Sequence, residues 1–485
     1  LSWLSIVSLE PTLAALVVQG PVVSVRREAD GTLVVAGIRM GGQSEPDLAN
    51  WVLRQSRIDI VDATVLWQDD LRQAPALTLN DLQLTVENPV LERLINRHRF
   101  ALKATPSAGS SHPVELRGNV YGSDLGKLKD WSGTLYGRMD GTDIAAWRQW
   151  LDFPFELNQG FGATRFWLDF SDGAVDRLTS DVILQKVRAR LARDREEARL
   201  EKLSARMIWS RQTDGQTVDL RRIKLTDNNG LQLEDGTFSV RTRLLQGKET
   251  MEGRVELEQV NLAAINSLAR HLPLPEKTAE HLRELAPAGI VSNLDLRWKG
   301  DRAQFNEYDI GMQFKNLGIR AYKEVPGFSN LSGKLNADEK QGTITINSQQ
   351  AAVDIKDVMR WPIPAEKLTG IVKWSHHAQG TDVRVNNLTI SGPHLDGVVN
   401  ASYRHGINTP SSIELNGRFE RGDGKYAPFY YPIMLGKDTL DWLDSSIVSG
   451  DVSDIHVIVR GRLDQFPYTD PKQGLFKVTA RMKNG

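Results

Sequence analysis

The sequence predicts a mostly β protein: an extended, curved antiparallel sheet that carries a few short helices. Three observations predict this fold class. Apolar and polar residues alternate over many short segments, which is the pattern of strands with one buried face. A stretch of more than 20 residues returns 165 positions later without a gap, which indicates repeated units rather than separate globular domains. Hydrophobic residues make up 40% of the 485 residues, which is enough to build a core.

The clearest repeat pairs residues 201–225 with residues 366–390, so that Trp209 returns as Trp374. Each copy has two apolar residues in alternation, a polar pair, and two more apolar residues in alternation. A looser earlier copy starts at Trp67. The polar pairs are Asn80-Asp81, Arg221-Arg222 and Asn386-Asn387. Crossing a polar pair is an odd step, which would turn the second half of the strand to the other face. A β-bulge or a bend at the pair would restore the facing.

Short helices and hairpins punctuate the strands. Asp143 and Asn261 each stand before a helical segment as N-cap residues, and Asp438 is predicted to cap a third. The predicted helices lie near residues 47–55, 144–151, 261–270, 276–286 and 438–446. Hairpin turns are predicted at Asp30-Gly31 and around Lys340-Gln341-Gly342.

The segment from Lys186 to Lys202 sets two arguments against each other. It is rich in helix formers, so propensity alone favours a helix. The repeat instead aligns it with the strand residues from Thr343 to Ile355. We therefore predict strand, turn and strand, with a charged tip near Asp194 to Glu197, because propensity is the weaker guide.

The repeats divide the chain into five predicted parts. These are residues 1–66 with N-terminal hairpins and a short helix, residues 67–173 as the first repeat, residues 174–300 as the second repeat with a preceding strand–turn–strand insertion, residues 301–461 as the third repeat with a preceding strand insertion, and residues 462–485 as the truncated start of further strands.

Composition excludes several function classes. The net charge is −1 and no basic stripe is interleaved with aromatic residues, so nucleic-acid binding is not expected. The chain has no cysteine, which removes disulfides, cysteine-ligated zinc and thiol nucleophiles. None of the nine histidines has metal-ligand spacing, and His376-His377 is interpreted as part of a solvated turn. We therefore predict no enzyme, no metal and no cofactor. The tripeptide Arg421-Gly422-Asp423 resembles an adhesion motif, but such tripeptides are common by chance.

The ends of the chain suggest a fragment. The most apolar stretch, Leu13 to Val25, is interrupted well short of the ~20 residues that a membrane-spanning helix needs. The chain begins with Leu1 rather than methionine. We expect any anchor helix to lie upstream.

Apolar residues of the repeated strands are candidates to line a common groove. For the tryptophans, packing in the sheet core is the competing interpretation, and the sequence leaves both open. The groove candidates are Leu294, Leu296, Trp298, Val383, Val385, Leu388, Ile390, Ile455, Val457, Val459, Trp209 and Trp374.

Several motifs resemble a known family. The segments Leu331-Ser332-Gly333-Lys334-Leu335 and Leu368-Thr369-Gly370 look like the repeated [LF]-[ST]-G-x-[LV] motif of AsmA-like proteins. The resemblance to the YhdP branch is collinear from about residue 30 to 485 and most specific in residues 325–480. The segments that carry it are Leu53-Arg54-Gln55 with Asp62 and Val65, Val358 to Pro362, Arg421-Gly422-Asp423-Gly424, Tyr431-Pro432, Leu435-Gly436-Lys437, Leu440 with Trp442-Leu443, and Gln465-Phe466-Pro467-Tyr468.

The resemblance implies a location and a function. It places the chain in the periplasm of a Gram-negative bacterium, tethered to the inner membrane by a helix upstream of this fragment. It implies that the curved sheet forms a trough, or β-groove, with an apolar interior. It also implies a bridge-like protein that takes part in outer-membrane biogenesis by carrying phospholipids between the inner and outer membranes. The implied partners are phospholipid acyl chains and the two membranes, with other envelope proteins as further candidates. Alternatives are an assembly factor or scaffold for outer-membrane proteins, or a polysaccharide-binding β-solenoid. An enzyme on a β-helix would need clustered carboxylates, which the sequence lacks.

Overall fold

The structure is a computed structural model, and its fold confirms the predicted mostly β class. It describes residues 13–40, 46–89, 95–110, 112–153, 155–228, 230–245, 247–272, 274, 276–301, 305–323, 325–468 and 470–485. Strands account for 65% of it and helices for 12%. The 26 strands of the described residues are assigned to one sheet. No helix in the described ranges is long and apolar enough to cross a membrane.

The chain divides into two compact units. The first comprises Leu1–Glu249 with His271–Pro273, and the second comprises Thr250–Arg270 with Leu274–Gly485. The border lies inside a strand of the second repeat, and the division into repeat units stays a prediction.

The first unit is built mainly from antiparallel neighbours in sequence order. From β5 to β13 each strand pairs antiparallel with the next, whereas β1 and β2 pair parallel with β5. Its strands are β1 Leu16–Gln19, β2 Val22–Arg27, β3 Leu33–Val35, β4 Ile38–Met40, β5 Arg57–Asp69, β6 Ala74–Glu87, β7 Arg97–Pro106, β8 Val114–Tyr121, β9 Ser132–Asp143, β10 Glu156–Ser171, β11 Ala174–Arg190, β12 Ala198–Gln212, β13 Gly215–Thr226, β14 Gln232–Leu233 and β15 Gly236–Leu245.

The second unit is an uninterrupted antiparallel meander. Every strand from β16 to β26 pairs with the next strand along the chain. The strands are β16 Lys248–Asn261, β17 Ala288–Gly300, β18 Phe305–Ile319, β19 Gly327–Asp338, β20 Gln341–Asp354, β21 Ile363–His377, β22 Gly380–Ser391, β23 Leu395–Gly406, β24 Ser412–Asp423, β25 Asp451–Arg462 and β26 Gly474–Lys483.

The five predicted helices are confirmed within a few residues at each end, whereas the sequence did not predict the 3₁₀ segments Leu125–Asp130, Gly424–Tyr430, Ile433–Leu435 and Leu463–Gln465. The α-helices are α1 Pro46–Leu53, α2 Leu262–Ala269, α3 Glu276–Leu285 and α4 Lys437–Ser446, and the 3₁₀ segments are Leu125–Asp130, Ile144–Gln149, Gly424–Tyr430, Ile433–Leu435 and Leu463–Gln465. The predicted hairpins at Asp30-Gly31 and Lys340-Gln341 are confirmed as the β2–β3 and β19–β20 turns.

Three helical segments that follow strands share the same kind of N-cap. Asp143, Asn261 and Asp423 each accept a hydrogen bond from the backbone N–H two residues later, at 3.1, 3.0 and 3.0 Å. The prediction that Asp438 caps a helix was wrong. The N-cap of α4 is Gly436, whose φ of 83° favours glycine, and Asp438 lies in the first turn. The conformation of the backbone where it enters α4 decides which residue is the N-cap, and the local sequence does not show that conformation.

The tripeptide that resembles an adhesion motif has structural roles. Asp423 caps the 3₁₀ segment that follows it, and Arg421 donates to Asp396 at 2.7 Å and to the Gly392 carbonyl at 2.6 Å.

The segment with conflicting signals forms strand, turn and strand, as the repeat predicts. Strand β11 ends at Arg190 and β12 begins at Ala198. Val187 pairs with Leu200, and Ala189 pairs with Ala198. Val187 and both alanines are buried. Cross-strand burial therefore outweighs helix propensity here.

The predicted bulges are present at the polar pairs. The second residue of each pair has a positive φ: 52° at Asp81, 53° at Arg222 and 48° at Asn387. The pairing register shifts at the same places, for example between Val385 and Leu388. Further non-glycine residues with positive φ inside strands are Asp62, Lys186, Asn293, Asn316, Asn330, Gln350 and Asp454. Asparagine and aspartate tolerate this left-handed conformation better than most side chains, which explains their frequency in the set.

A substitution pair tests the bulge in β22. We expect Asn387→Val to lower stability by about 1–2 kcal/mol, because a β-branched residue is strained at positive φ. Asn386→Val is the matched control: this neighbour is also exposed but lacks a positive φ, so valine should be neutral or slightly stabilising there. Urea unfolding midpoints measure both effects. Equal midpoints for the two variants would contradict the bulge assignment.

Candidate functional site

The apolar side chains of the second unit share one face of the sheet. Residues directly opposite each other in a strand pair point to the same side, so the pairing registers trace rows across the strands. One row runs Leu296, Ile310, Ala337, Gly342, Trp374, Val383, Tyr403 and Ile413. The next row runs Met312, Leu335, Ile344, Val372, Val385, Ala401, Leu415 and Val459.

Two further rows lie beyond the bulges on the same face. The bulge at Asn387 keeps Leu388 on the face of Val385, because their partners Val399 and Ala401 alternate along β23. One row runs Leu388, Val399, Gly417 and Val457, and the other runs Leu368, Ile390, Gly397, Phe419 and Ile455. Leu294 and Trp298 join through their alternation with Leu296.

Eleven of the twelve groove candidates therefore lie on this one surface, which we name the apolar face. They are Leu294, Leu296, Trp298, Trp374, Val383, Val385, Leu388, Ile390, Ile455, Val457 and Val459. That these residues contact lipid stays a prediction.

Burial on the apolar face is graded. At the base of the face, Val291, Phe314 and Leu368 belong to a cluster of almost fully buried core residues, against which Leu262 and Ile265 of α2 pack. Leu294, Leu388 and Ile390 also pack against this cluster. Outside this cluster, the side chains of Leu296, Val383, Val385, Val457 and Val459 are only half-buried. The apolar face thus combines a packed base with rows that leave hydrophobic surface accessible.

The twelfth candidate, Trp209, lies on a comparable surface of the first unit. Its indole is half-buried, and its Nε1 donates to Gln216 Oε1 at 3.0 Å. The row that contains it runs Ile58, Val86, Phe100, Gly118, Leu135, Leu168, Leu178, Trp209, Val218 and Val240.

The opposite face of each unit carries cross-strand ion pairs. In the second unit, Arg254 donates to Asp295 at 2.9 Å and Arg404 donates to Asp382 at 2.7 Å. In the first unit, Arg206 donates to Asp181 at 2.6 Å. The neighbouring guanidinium lowers the pKa of each of these carboxyl groups below its usual value. The charged face is therefore compatible with water, whereas exposure of the apolar face to water is unfavourable.

One histidine of the charged face lies next to a carboxylate. His377 Nε2 lies 3.5 Å from Asp382, which is the partner of Arg404. This contact is exposed and offers no enclosed acid–base site. Within the described ranges, no group of three or more His, Asp or Glu side chains is placed to hold a metal ion.

Glycines make room for the tryptophans of the apolar face. Gly253 lies opposite Trp298 and Gly342 lies opposite Trp374. A Cβ atom at either glycine would overlap the indole ring of its partner. The indoles therefore lie flat over the neighbouring strand, which widens the apolar surface and covers exposed backbone.

A glycine substitution tests this packing. Gly342→Ala should lower stability by about 1–3 kcal/mol, because the new methyl group displaces the Trp374 ring. Gly311→Ala is the control, since a Cβ there meets only Asn336 Oδ1 at an ordinary 3.4 Å. Thermal or urea unfolding measures the difference. If both alanine variants unfold at the wild-type midpoint, the indole does not occupy the surface of Gly342.

Comparison with known proteins agrees with this description of the fold and the site. The fold and the site define a repetitive β-sheet protein with one apolar and one charged face. The family model described as YhdP protein matches residues 1–485, so the chain belongs to the YhdP family. This confirms the resemblance found in the motifs.

One curated relative adds detail. The chain is similar to the intermembrane phospholipid transporter YhdP of Escherichia coli (strain K12), with 22% identity over 242 residues. The alignment covers 49% of this chain and 19% of that protein, so the aligned half of the chain spans about a fifth of the relative's length. No solved structure shows significant similarity to the chain.

Proposed function

We propose that this chain is a periplasmic segment of a bridge-like lipid transfer protein. Phospholipid acyl chains lie on its apolar face while they pass between the inner and outer membranes, and the transfer maintains the outer-membrane barrier. The observation that carries the proposal is the unbroken succession of apolar rows across the strands of the second unit. Membership of the YhdP family and the name of the Escherichia coli relative support it.

The energetics favour acyl chains as the occupant. Each methylene group moved from water to an apolar surface is stabilised by about 0.8 kcal/mol. The half-buried rows offer such a surface at every strand, so a chain moving from one strand to the next exchanges one apolar contact for another. No strand has to hold the lipid tightly, which suits transport better than storage.

The proposal assigns no catalysis, metal or cofactor to the chain. Its partners are acyl chains and the two membranes, and a helix upstream of this segment tethers the protein to the inner membrane. The titratable residues of the strands lie mainly on the charged face in pairs such as Arg254–Asp295 and Arg206–Asp181, where they serve solubility.

Lipid retention is the direct test. The purified chain should carry phospholipids, identified by mass spectrometry after extraction, because an unfilled apolar face would be exposed to water. A chain that retains outer-membrane protein segments or polysaccharide instead, with no phospholipid, would support the scaffold or the polysaccharide-binding alternative.

A charged side chain introduced on the apolar face tests whether lipid moves along that face. Val457 lies on the apolar face, and Ile458 lies next to it on the charged face. In cells that depend on this protein, Val457→Asp should leave folding and localisation normal but abolish the outer-membrane barrier, because acyl chains would have to pass an unpaired charge at a cost of several kcal/mol.

Ile458→Asp is the matched control for that variant. It places the same charge one residue away on the opposite face, so the barrier should remain. Protein level and dye exclusion are measured in both strains. Full barrier function in a well-expressed Val457→Asp strain would show that this strand does not line the path.

A further inference from the structure

A polar row borders the apolar face at the hairpin ends of β21 to β24. His376 pairs with Thr381, and Thr381 pairs with His405. Each lies two residues from a member of the apolar row: Trp374, Val383 and Tyr403, respectively. By strand alternation, the three polar residues share the apolar face. The sequence interpretation of His376-His377 as a turn was wrong, because β21 continues through both residues.

The hydrogen bonds of this row leave donors available. His376 Nδ1 lies 2.8 Å from Thr381 Oγ1, and His405 Nδ1 lies 3.1 Å from Ser411 Oγ. Where the hydroxyl donates to Nδ1, the ring proton lies on Nε2, which can then donate to a ligand. Neither Nε2 atom has a hydrogen-bond partner within the described part of the chain, and both histidines are exposed.

Amphipathic aromatic residues separate this polar row from the apolar rows. The Tyr403 hydroxyl donates to Ser411 Oγ at 3.2 Å, so its ring belongs to the apolar row and its oxygen to the polar row. Trp374 lies in the same row, with Val383 between it and Tyr403. Tryptophan and tyrosine favour the level where hydrocarbon meets polar headgroups. Along these strands the surface thus changes, within two residues, from one that suits acyl chains to one that can form hydrogen bonds.

We propose that His376 and His405, supported by Thr381 and Ser411, form a rim site that binds the phosphate group of a lipid headgroup. This inference rests on the proposed function. The Cα atoms of the two histidines are about 10 Å apart, two strand spacings, so both Nε2–H groups can reach one phosphate or two successive ones. The acyl chains of the same lipid lie on the rows of Val383 and Val385. The site thus orients the lipid, with its tails toward α2 and its headgroup at the hairpin ends.

The chain offers a matched control for this site. His377 is adjacent to His376, but it points to the charged face and pairs with Asp382. The double variant His376→Leu with His405→Leu keeps an apolar face while removing both donors. His377→Leu removes an imidazole from the same hairpin without touching the rim.

The experiment compares two lipids that differ only in phosphate. The full chain is incubated with vesicles that contain either a radiolabelled phospholipid or a radiolabelled diacylglycerol with the same acyl chains, and the label that stays with the protein is counted. Wild type and His377→Leu should retain both lipids. The double variant should retain about three- to tenfold less phospholipid, since hydrogen bonds to a charged acceptor are lost. Its diacylglycerol retention should equal that of wild type.

Each other outcome has a definite meaning. Unchanged phospholipid retention in the double variant, or an equal loss of both lipids, would overturn the rim site while leaving the groove in place. Retention of neither lipid by wild type would overturn the proposed function and the rim site together. Inorganic phosphate is the third arm: if millimolar phosphate displaces the phospholipid fully from wild type, the histidines bind free phosphate rather than a headgroup.

Discussion

Every strand has to keep its apolar side chains on one face of the sheet, and the rest of the structure depends on this constraint. A strand has a side-chain period of two, so a single extra residue would turn half of the strand to water. The bulges at Asp81, Arg222 and Asn387 absorb that residue in a left-handed conformation. They explain how a strand with an odd step still presents Val385 and Leu388 on the same side.

The two faces of the sheet have separate physical roles. On the charged face, pairs such as Arg404–Asp382 are exposed to solvent, and water and salt screen such pairs so that they contribute little to stability. Their main effect is to keep that face in water and to specify which side is which. The apolar face is packed most closely at its base, where Phe314 and Leu368 are buried. A sheet with both faces solvated would have no surface for an acyl chain, and one with both faces buried would admit none.

The helical segments show how the repeat maintains the sheet. Asp143, Asn261 and Asp423 occupy equivalent positions, each at the end of a strand and each capping the turn that follows. Two of them cap segments that pack on the apolar core, through Ile144 in the first unit and Ile265 in the second. The repeat therefore preserves a way of covering the base of the apolar face as well as a strand pattern.

The sequence by itself determined the features that depend on near neighbours. Alternation identified the strands, the polar pairs located the bulges, and the repeat assigned strands to Lys186–Lys202 against its helix propensity. It also found the groove candidates, because each is a period-two apolar position. Only the tertiary structure decided what depends on register and on the path of the chain. His405 lies 29 residues after His376 in the chain. Thr381 pairs with both histidines, which places them two strands apart on the same face. Gly436, rather than Asp438, caps α4 because of the direction from which the chain enters the helix. Local patterns record which side of a strand a residue occupies, whereas cross-strand hydrogen bonding sets which residue lies opposite, and no short window of sequence contains that information.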